Sequence, residues 1–107
     1  MSHLNQFDQP VGAALPDWQP RPHPERLNLQ GRLCRLEPLR STHAGALFDA
    51  HRLAPDTRSW TWLLREPDNS VEEYRAWIEH VSGQADPIHF AVIDQRTDQP
   101  VGSLALM

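Results

Sequence analysis

The side chains with the widest chemical range in this sequence are its histidines. His43 and His51 fall on one predicted helix, where an imidazole could act as a general base. A histidine on a helix face is more often a surface residue or a hydrogen-bonded core residue, so we favour a structural role for both. His80 and His89 have no cysteine or carboxylate at metal-ligand spacing, and the sequence therefore predicts no metal site.

Cys34 is the only cysteine among the 107 residues. It falls in a predicted strand, where the simplest expectation is a small buried apolar side chain. A hydrolase with a cysteine–histidine pair stays open, although no nucleophile elbow or oxyanion motif accompanies Cys34. One cysteine excludes an internal disulfide and is typical of a reducing cytosol, so we expect a cytoplasmic protein.

The arginines, the glycines and the net charge exclude several classes of function. All 10 lysine and arginine residues are arginine, which excludes Schiff-base and phosphate-binding lysines. Arg32, Arg35 and Arg40 form a cluster that Glu37 interrupts, which predicts a solvated face. The net charge of −4 predicts no nucleic-acid or membrane partner. The 5 glycines lie far apart, so we expect no glycine-rich phosphate loop.

A short set of elements must position these side chains. Residues 1–25 hold five of the 10 prolines and predict an irregular, proline-rich arm. Residues 26–107 predict one folded domain. Its periodicity indicates the order β-α-α-β-β over residues 27–37, 42–53, 70–82, 88–94 and 101–107. This order predicts the α+β class, with an antiparallel sheet and two helices.

Local signals set the ends of these elements. Ser41 or Thr42 is the expected N-cap of the first helix. Ser70 and Glu73 form a capping box at the start of the second helix, and Gly83 is expected to end it in a left-handed conformation. The last two strands form a predicted hairpin, in which Asp98 takes a position that requires a positive φ.

The final segment, VGSLALM, predicts an apolar strand with an open edge. We expect from this pattern that the chain is a truncated part of a longer protein. One alternative is a genuine small protein that completes its sheet by forming a homodimer through the C-terminal strand. A degraded gene product with no stable fold is a further alternative.

Four phrases in order carry a resemblance to a known family: GRLCRLEPLRSTHAGALFDA, SWTWL, VEEYRAWIEHV and HFAVIDQRTDQPVGSLAL. Together they resemble the N-terminal half of N-acetyltransferases of the GNAT superfamily, in the branch of the ribosomal-protein N-terminal acetyltransferases. The resemblance implies an incomplete acyl-CoA N-acyltransferase fold over residues 26–107. It also implies transfer of an acetyl group from acetyl-CoA to an amine acceptor.

The resemblance implies that most of the catalytic apparatus lies outside this chain. In the family, acetyl-CoA binds mainly to a strand and a glycine-containing loop that would follow Met107. We therefore expect no cofactor-binding residues here, no tight binding of acetyl-CoA, and no activity of the chain alone. The general base and acid stay unassigned.

The same resemblance implies that residues 56–65 form part of the wall where the amine acceptor docks. Trp60 and Trp62 could flank the acceptor, and Asp56 or Glu66 could bind a cationic amine. Tyr74 belongs to the same candidate site. Core or rim packing is the favoured alternative for the two tryptophans and, on its helix stripe, for Tyr74. The acceptor stays open between a protein N-terminus, an aminated antibiotic and a small polyamine. The competing function is a non-catalytic interaction module that pairs through the open strand edge.

Overall fold

A computed structural model describes residues 3–107, and within them a four-stranded antiparallel sheet carries two helices. The predicted α+β class, with an antiparallel sheet and two helices, is confirmed. The elements are β1 (His3–Leu4), β2 (Pro10–Val11), β3 (Leu29–Gln30), β4 (Cys34–Pro38), α1 (Ala44–His51), α2 (Val71–Ser82), β5 (Ile88–Asp94) and β6 (Gln99–Leu106). The main sheet has the order β3-β4-β5-β6. No helix in this described part of the chain is long and apolar enough to cross a membrane.

The prediction of one strand over residues 27–37 is wrong, because this segment folds back on itself. Strands β3 and β4 form a hairpin in which Leu29 lies opposite Leu36. The turn is closed by a hydrogen bond of 2.9 Å from the Gly31 amide to the Cys34 carbonyl. The sheet consequently has four strands, one more than predicted. Cys34 is exposed at the start of β4, so the expectation of a buried cysteine is also wrong.

The arm is less irregular than its prolines predict. Strands β1 and β2 pair as a small separate hairpin, with His3 opposite Val11. Pro10 is tolerated because it sits in an edge strand of only two residues. Further along, the arm lies against the residues after α2, since His23 Nε2 is 2.5 Å from the Ala85 carbonyl oxygen. Just beyond the arm, the Arg26 guanidinium donates to the Ser82 carbonyl at the end of α2. Residues 1 and 2 of the predicted arm lie outside the described residues.

Helix α1 begins later than predicted, and neither Ser41 nor Thr42 caps it with a side chain. Residues 41–43 form a 3-10 turn first. The capping contact comes from His43, whose Nδ1 accepts the Arg40 amide at 3.0 Å. The other ring nitrogen, Nε2, lies 3.0 Å from Glu37 Oε2. His43 is therefore a buried histidine with both nitrogens satisfied, as the structural alternative expected.

Helix α2 follows its sequence signals closely. Ser70 Oγ accepts the Glu73 amide at 3.2 Å, and Glu73 Oε2 accepts the Asn69 amide at 3.0 Å. The stabilisation of orphan amides at this end is worth about 0.5–2 kcal/mol. At the other end Gly83 has φ −88°, so the predicted left-handed cap is wrong.

The core lies between the two helices and one face of the sheet. The residues with no exposed area include Ala44 and Leu47 of α1, Ile78 of α2 and Ala91 of β5. Ile93 joins them from the same face of β5. Burial of these side chains holds both helices over the sheet and fixes the surface between them.

The β5–β6 hairpin ends the described chain. Asp98 has φ 59° in its turn, which confirms the predicted positive φ. Strand β6 is an edge of the sheet and has no charged residue. Pro100 and a register shift opposite Val92 and Ile93 interrupt its first part, so only the stretch beyond them presents a regular edge.

Candidate functional site

A groove of about 570 Å³ lies between helix α2, the β5–β6 hairpin and the segment that joins α1 to α2. We call this segment, residues 52–70, the connector. We call the groove itself the aromatic groove. Its lining includes Trp60, Trp62, Arg65, Tyr74, Trp77 and His89. The structure thus brings together three of the five residues that the sequence suggested for an acceptor site, namely Trp60, Trp62 and Tyr74.

The wall of the aromatic groove is a continuous set of rings. Tyr74 and Trp77 stack with an interplanar angle of 11° and centroids 5.9 Å apart. Trp77 meets His89 edge to face at 5.4 Å, and His51 lies 5.5 Å from Tyr74. Positions three apart on α2 lie on one side of a helix, which explains why Tyr74 and Trp77 are neighbours. These four rings therefore lie on α1, α2 and β5 rather than on the connector.

The two connector tryptophans have different environments. Trp60 is half-buried and lies 6.3 Å from His51, edge to face. Trp62 is 92% exposed at the rim. One tryptophan of the pair therefore faces inward and the other outward. Tyr74 is 2% exposed, so it belongs both to the core and to the wall of the groove.

Arg65 is the one lining residue of the groove that carries a full charge at every ordinary pH. Its guanidinium lies 4.1 Å from the Trp77 ring centroid and 5.6 Å from that of Trp60. Its Nη2 donates a hydrogen bond of 2.7 Å to Asp68 Oδ2. Stacking and ion pairing together fix the cation in place. In the sequence Arg65 was only the last residue of the 56–65 segment and had no assigned role, and its local signal was an aspartate three residues later.

Two imidazoles in the groove are kept neutral by their surroundings. Burial lowers the pKa of His51, and the nearby Arg65 lowers it further. Burial also lowers the pKa of His89, with a smaller effect from Arg26. A neutral imidazole can accept a proton from a bound amine, so both are candidate bases. The sequence favoured a structural role for His51 and gave His89 no role beyond excluding it as a metal ligand.

Tyr74 has the opposite character. Burial raises its pKa to about 12, so the phenol keeps its proton under all physiological conditions. It can donate a hydrogen bond but cannot act as a base near neutral pH. The groove therefore offers a proton donor beside two neutral acceptors.

Asp56 lies in a smaller adjoining cleft of about 210 Å³, which shares His51, Trp60 and Tyr74 with the groove. The Arg58 guanidinium contacts its carboxylate at 2.8 Å. The hydrogen bonds from Arg58 hold the pKa of Asp56 below its ordinary value. Glu66 lies outside both cavities. The two carboxylates suggested for a cationic amine are thus not part of the aromatic groove.

A second polar cluster has a structural role. Arg35 contacts Glu37 at 2.9 Å and Asp98 at 2.6 Å, and Glu37 also contacts the buried His43. The prediction of a solvated arginine face is therefore wrong for Arg35, which links β4 to the β5–β6 turn. Within residues 3–107, no group of three histidine, cysteine, aspartate or glutamate side chains could hold a metal ion.

These environments predict two steps of stability loss on acidification. The pKa values of His51 and His89 lie below the unfolded value of 6.5, so the unfolded chain binds protons first and stability falls as the pH drops through about 6.5. The hydrogen bonds from Arg35 and His43 lower the pKa of Glu37 below 4.5. Its contribution is present above that value and is lost as the pH falls through the lowered one. Urea unfolding between about pH 8 and pH 3 measures both steps.

Matched variants separate the two steps. We expect His89→Gln to reduce the first step and Glu37→Gln to reduce the second, while the exposed His80→Gln changes neither. An unchanged profile in Glu37→Gln would contradict the assignment of the lower step to this cluster.

Solved structures similar to this chain include two bacterial proteins. A GCN5-related N-acetyltransferase from Brucella melitensis has a TM-score of 0.77 and 39% identity, over 87% of this chain and 42% of that one. A GNAT-family protein from Chromobacterium violaceum has a TM-score of 0.67 and 23% identity, over 91% of this chain and 48% of that one, and supports the fold alone. This chain therefore spans less than half the length of either structure. No protein-family model and no curated protein sequence matches it.

Proposed function

With the fold of the GNAT superfamily as the premise, we propose that this chain forms the acceptor side of an enzyme that acetylates an amine with acetyl-CoA. The observation that carries the proposal is the aromatic groove, in which two neutral imidazoles and a phenol surround a space large enough for a small substrate. The four sequence phrases further support a place in the ribosomal-protein N-terminal acetyltransferase branch, and this finer assignment is also a proposal.

The chemistry of the reaction explains why such a groove is useful. An amine attacks a thioester carbonyl only in its neutral form, so a proton must leave the ammonium first. His51 or His89 can accept that proton because each imidazole is held neutral. The ring wall can hold the amine in a fixed orientation, and orientation lowers such barriers by several kcal/mol.

The described residues do not fit the pyrophosphate of acetyl-CoA. A helix N-terminus would be the natural anion site. At α2, however, the first turn carries the acidic Glu72 and Glu73, and Ser70 Oγ already accepts the Glu73 amide. The chain also covers only 42% and 48% of the lengths of the two similar acetyltransferase structures. We therefore propose that other segments of such an enzyme bind acetyl-CoA, and no catalytic step is assigned to it here.

The test is an acetylation assay on the whole protein that contains this chain. Wild-type protein is expected to transfer one acetyl group from acetyl-CoA to an amine, detected by product mass and thiol release. His51→Asn or His89→Gln is expected to lower kcat/KM at neutral pH by about 10²-fold, because the variant lacks the proton acceptor. The control is His80→Gln, on the exposed side of α2.

The outcomes separate the two parts of this proposal. No acetylation of any tested amine would contradict the acetyltransferase function. If the protein acetylates an amine and neither His51→Asn nor His89→Gln slows the reaction, the acetyltransferase function is supported. In that case neither histidine is the general base.

The edge of the sheet supports a second candidate. Strand β6 pairs only with β5 in the described chain and carries no charged residue. Such an edge can pair with a strand of another protein or a second copy. A stable dimer that transfers no acetyl group would favour this interaction module over the enzyme.

A further inference from the structure

We infer that the aromatic groove selects an acceptor with one amine and an apolar body, and discriminates against polycations such as polyamines. This inference rests on the proposed function, since it treats the groove as the acceptor side of that enzyme. Among the acceptors that the sequence alone leaves open, it excludes a small polyamine.

The lining of the groove provides apolar contact area that solvent now covers. Trp62 is 92% exposed and Leu63 is 57% exposed, and both line the groove. Side chains of this size gain most from burial when an apolar partner covers them. Aromatic walls also favour offset or edge-to-face contacts with a ring of the ligand. The groove therefore fits an acceptor with an aromatic or aliphatic body.

The charges of the groove oppose a polycation. No aspartate or glutamate of residues 3–107 lines it, and its charged side chain is Arg65. Two nearby carboxylates have cationic partners, since Asp68 pairs with Arg65 and Asp56 pairs with Arg58, and Glu66 lines a neighbouring cavity of about 630 Å³ instead. No side chain lining the groove therefore supplies a negative charge to a second ammonium group.

The same cation favours reaction of a single amine. A positive charge close to an ammonium lowers the pKa of that ammonium and increases its neutral fraction. Arg65 is held beside Trp77, and at His51 its electrostatic effect exceeds the opposing effect of its partner Asp68, so the net influence of this ion pair on the groove is positive. An acceptor with one amine loses its charge on deprotonation, whereas a polyamine keeps charge elsewhere along its length.

The experiment measures binding without acetyl transfer, by intrinsic tryptophan fluorescence. Three of the 4 tryptophans line the groove, and Trp18 does not. Phenethylamine serves as the probe with one amine and an aromatic body, and spermidine as the polycation. We expect phenethylamine to change the fluorescence at a concentration about tenfold or more below that of spermidine.

Two variants identify the surface and the cause. Trp18→Phe removes the tryptophan outside the groove, so the signal from phenethylamine should persist. Arg65→Gln removes the repelling charge and should improve spermidine binding by about two- to fivefold, and added salt should reduce the discrimination in wild-type protein. Circular dichroism checks that Arg65→Gln is folded, and the salt series tests the charge even if it is not.

Each result decides between the claims. Tighter binding of spermidine than of phenethylamine, or a signal that Trp18→Phe abolishes, would overturn the inference, and so would no binding of either probe. Phenethylamine binding with spermidine excluded, but no acetylation of any amine by the whole protein, would support the selectivity of the groove and reject the proposed enzyme.

Discussion

Replacing Ile78 by alanine is expected to lower the free energy of unfolding by about 2–5 kcal/mol. Ile78 has no exposed area and lies on α2 within the cluster that joins both helices to the sheet. The change removes apolar contacts and leaves a cavity that the neighbouring strand cannot close. A domain of this size has a total stability of about 5–15 kcal/mol, so the loss is a large fraction of it.

Urea unfolding followed by circular dichroism measures this loss. Leu53→Ala is the matched control, because Leu53 is 86% exposed just beyond α1. The control should change the unfolding free energy by less than about 0.5 kcal/mol. Equal effects of the two substitutions would mean that the helices do not share one core with the sheet.

Sequence signals predicted α2 well because its determinants are local. The capping side chains lie within four residues of one another, and the buried positions recur at helical spacing. The turn before β6 was predictable for the same reason, since the positive φ belongs to the single residue Asp98. Elements of this kind need no knowledge of their tertiary partners.

Residues 27–37 show why the rest of the fold was harder to predict. Leu29 is an odd-numbered and Leu36 an even-numbered position, and in one straight strand such positions face opposite sides of the sheet. A single strand would therefore need two buried faces. In the structure Leu29 and Leu36 are opposite one another across a hairpin. A change of parity is equally consistent with a turn, and Gly31 was the available signal for it.

The candidate site was predictable in part. The family resemblance of the sequence implied that Trp60 and Trp62 belong to the acceptor wall. The roles of Arg65 and His89 depend on distant partners, because one stacks on a ring of α2 and the other lies on β5 beside the same ring. Asp56 was a reasonable candidate by type, but an arginine two residues away pairs with it. Burial and ion pairing of this kind are set by the fold as a whole.

Gly31→Ala and Gly45→Ala are expected to have opposite effects on stability. A Cβ at Gly31 would lie 2.8 Å from the Cys34 carbonyl oxygen, closer than van der Waals contact allows. That oxygen belongs to the backbone and accepts the Gly31 amide, so the turn itself must move. We expect a loss of about 1–3 kcal/mol. A Cβ at Gly45 on α1 meets nothing within 4 Å, and alanine there should add about 0.5–1 kcal/mol.

The effect of Gly31→Ala should extend beyond its own turn. Cys34 begins the pairing of β4 with β5, opposite Asp94, and the Gln95 amide donates to the Leu33 carbonyl at 3.0 Å. A displaced turn therefore weakens the first contacts of the central strand pair as well. Hydrogen exchange should show faster exchange at Gly31 and Gln95 in this variant, with α2 unchanged. Equal stability of Gly31→Ala and Gly45→Ala would contradict the expectation that the close approach of Gly31 to Cys34 requires glycine in this turn.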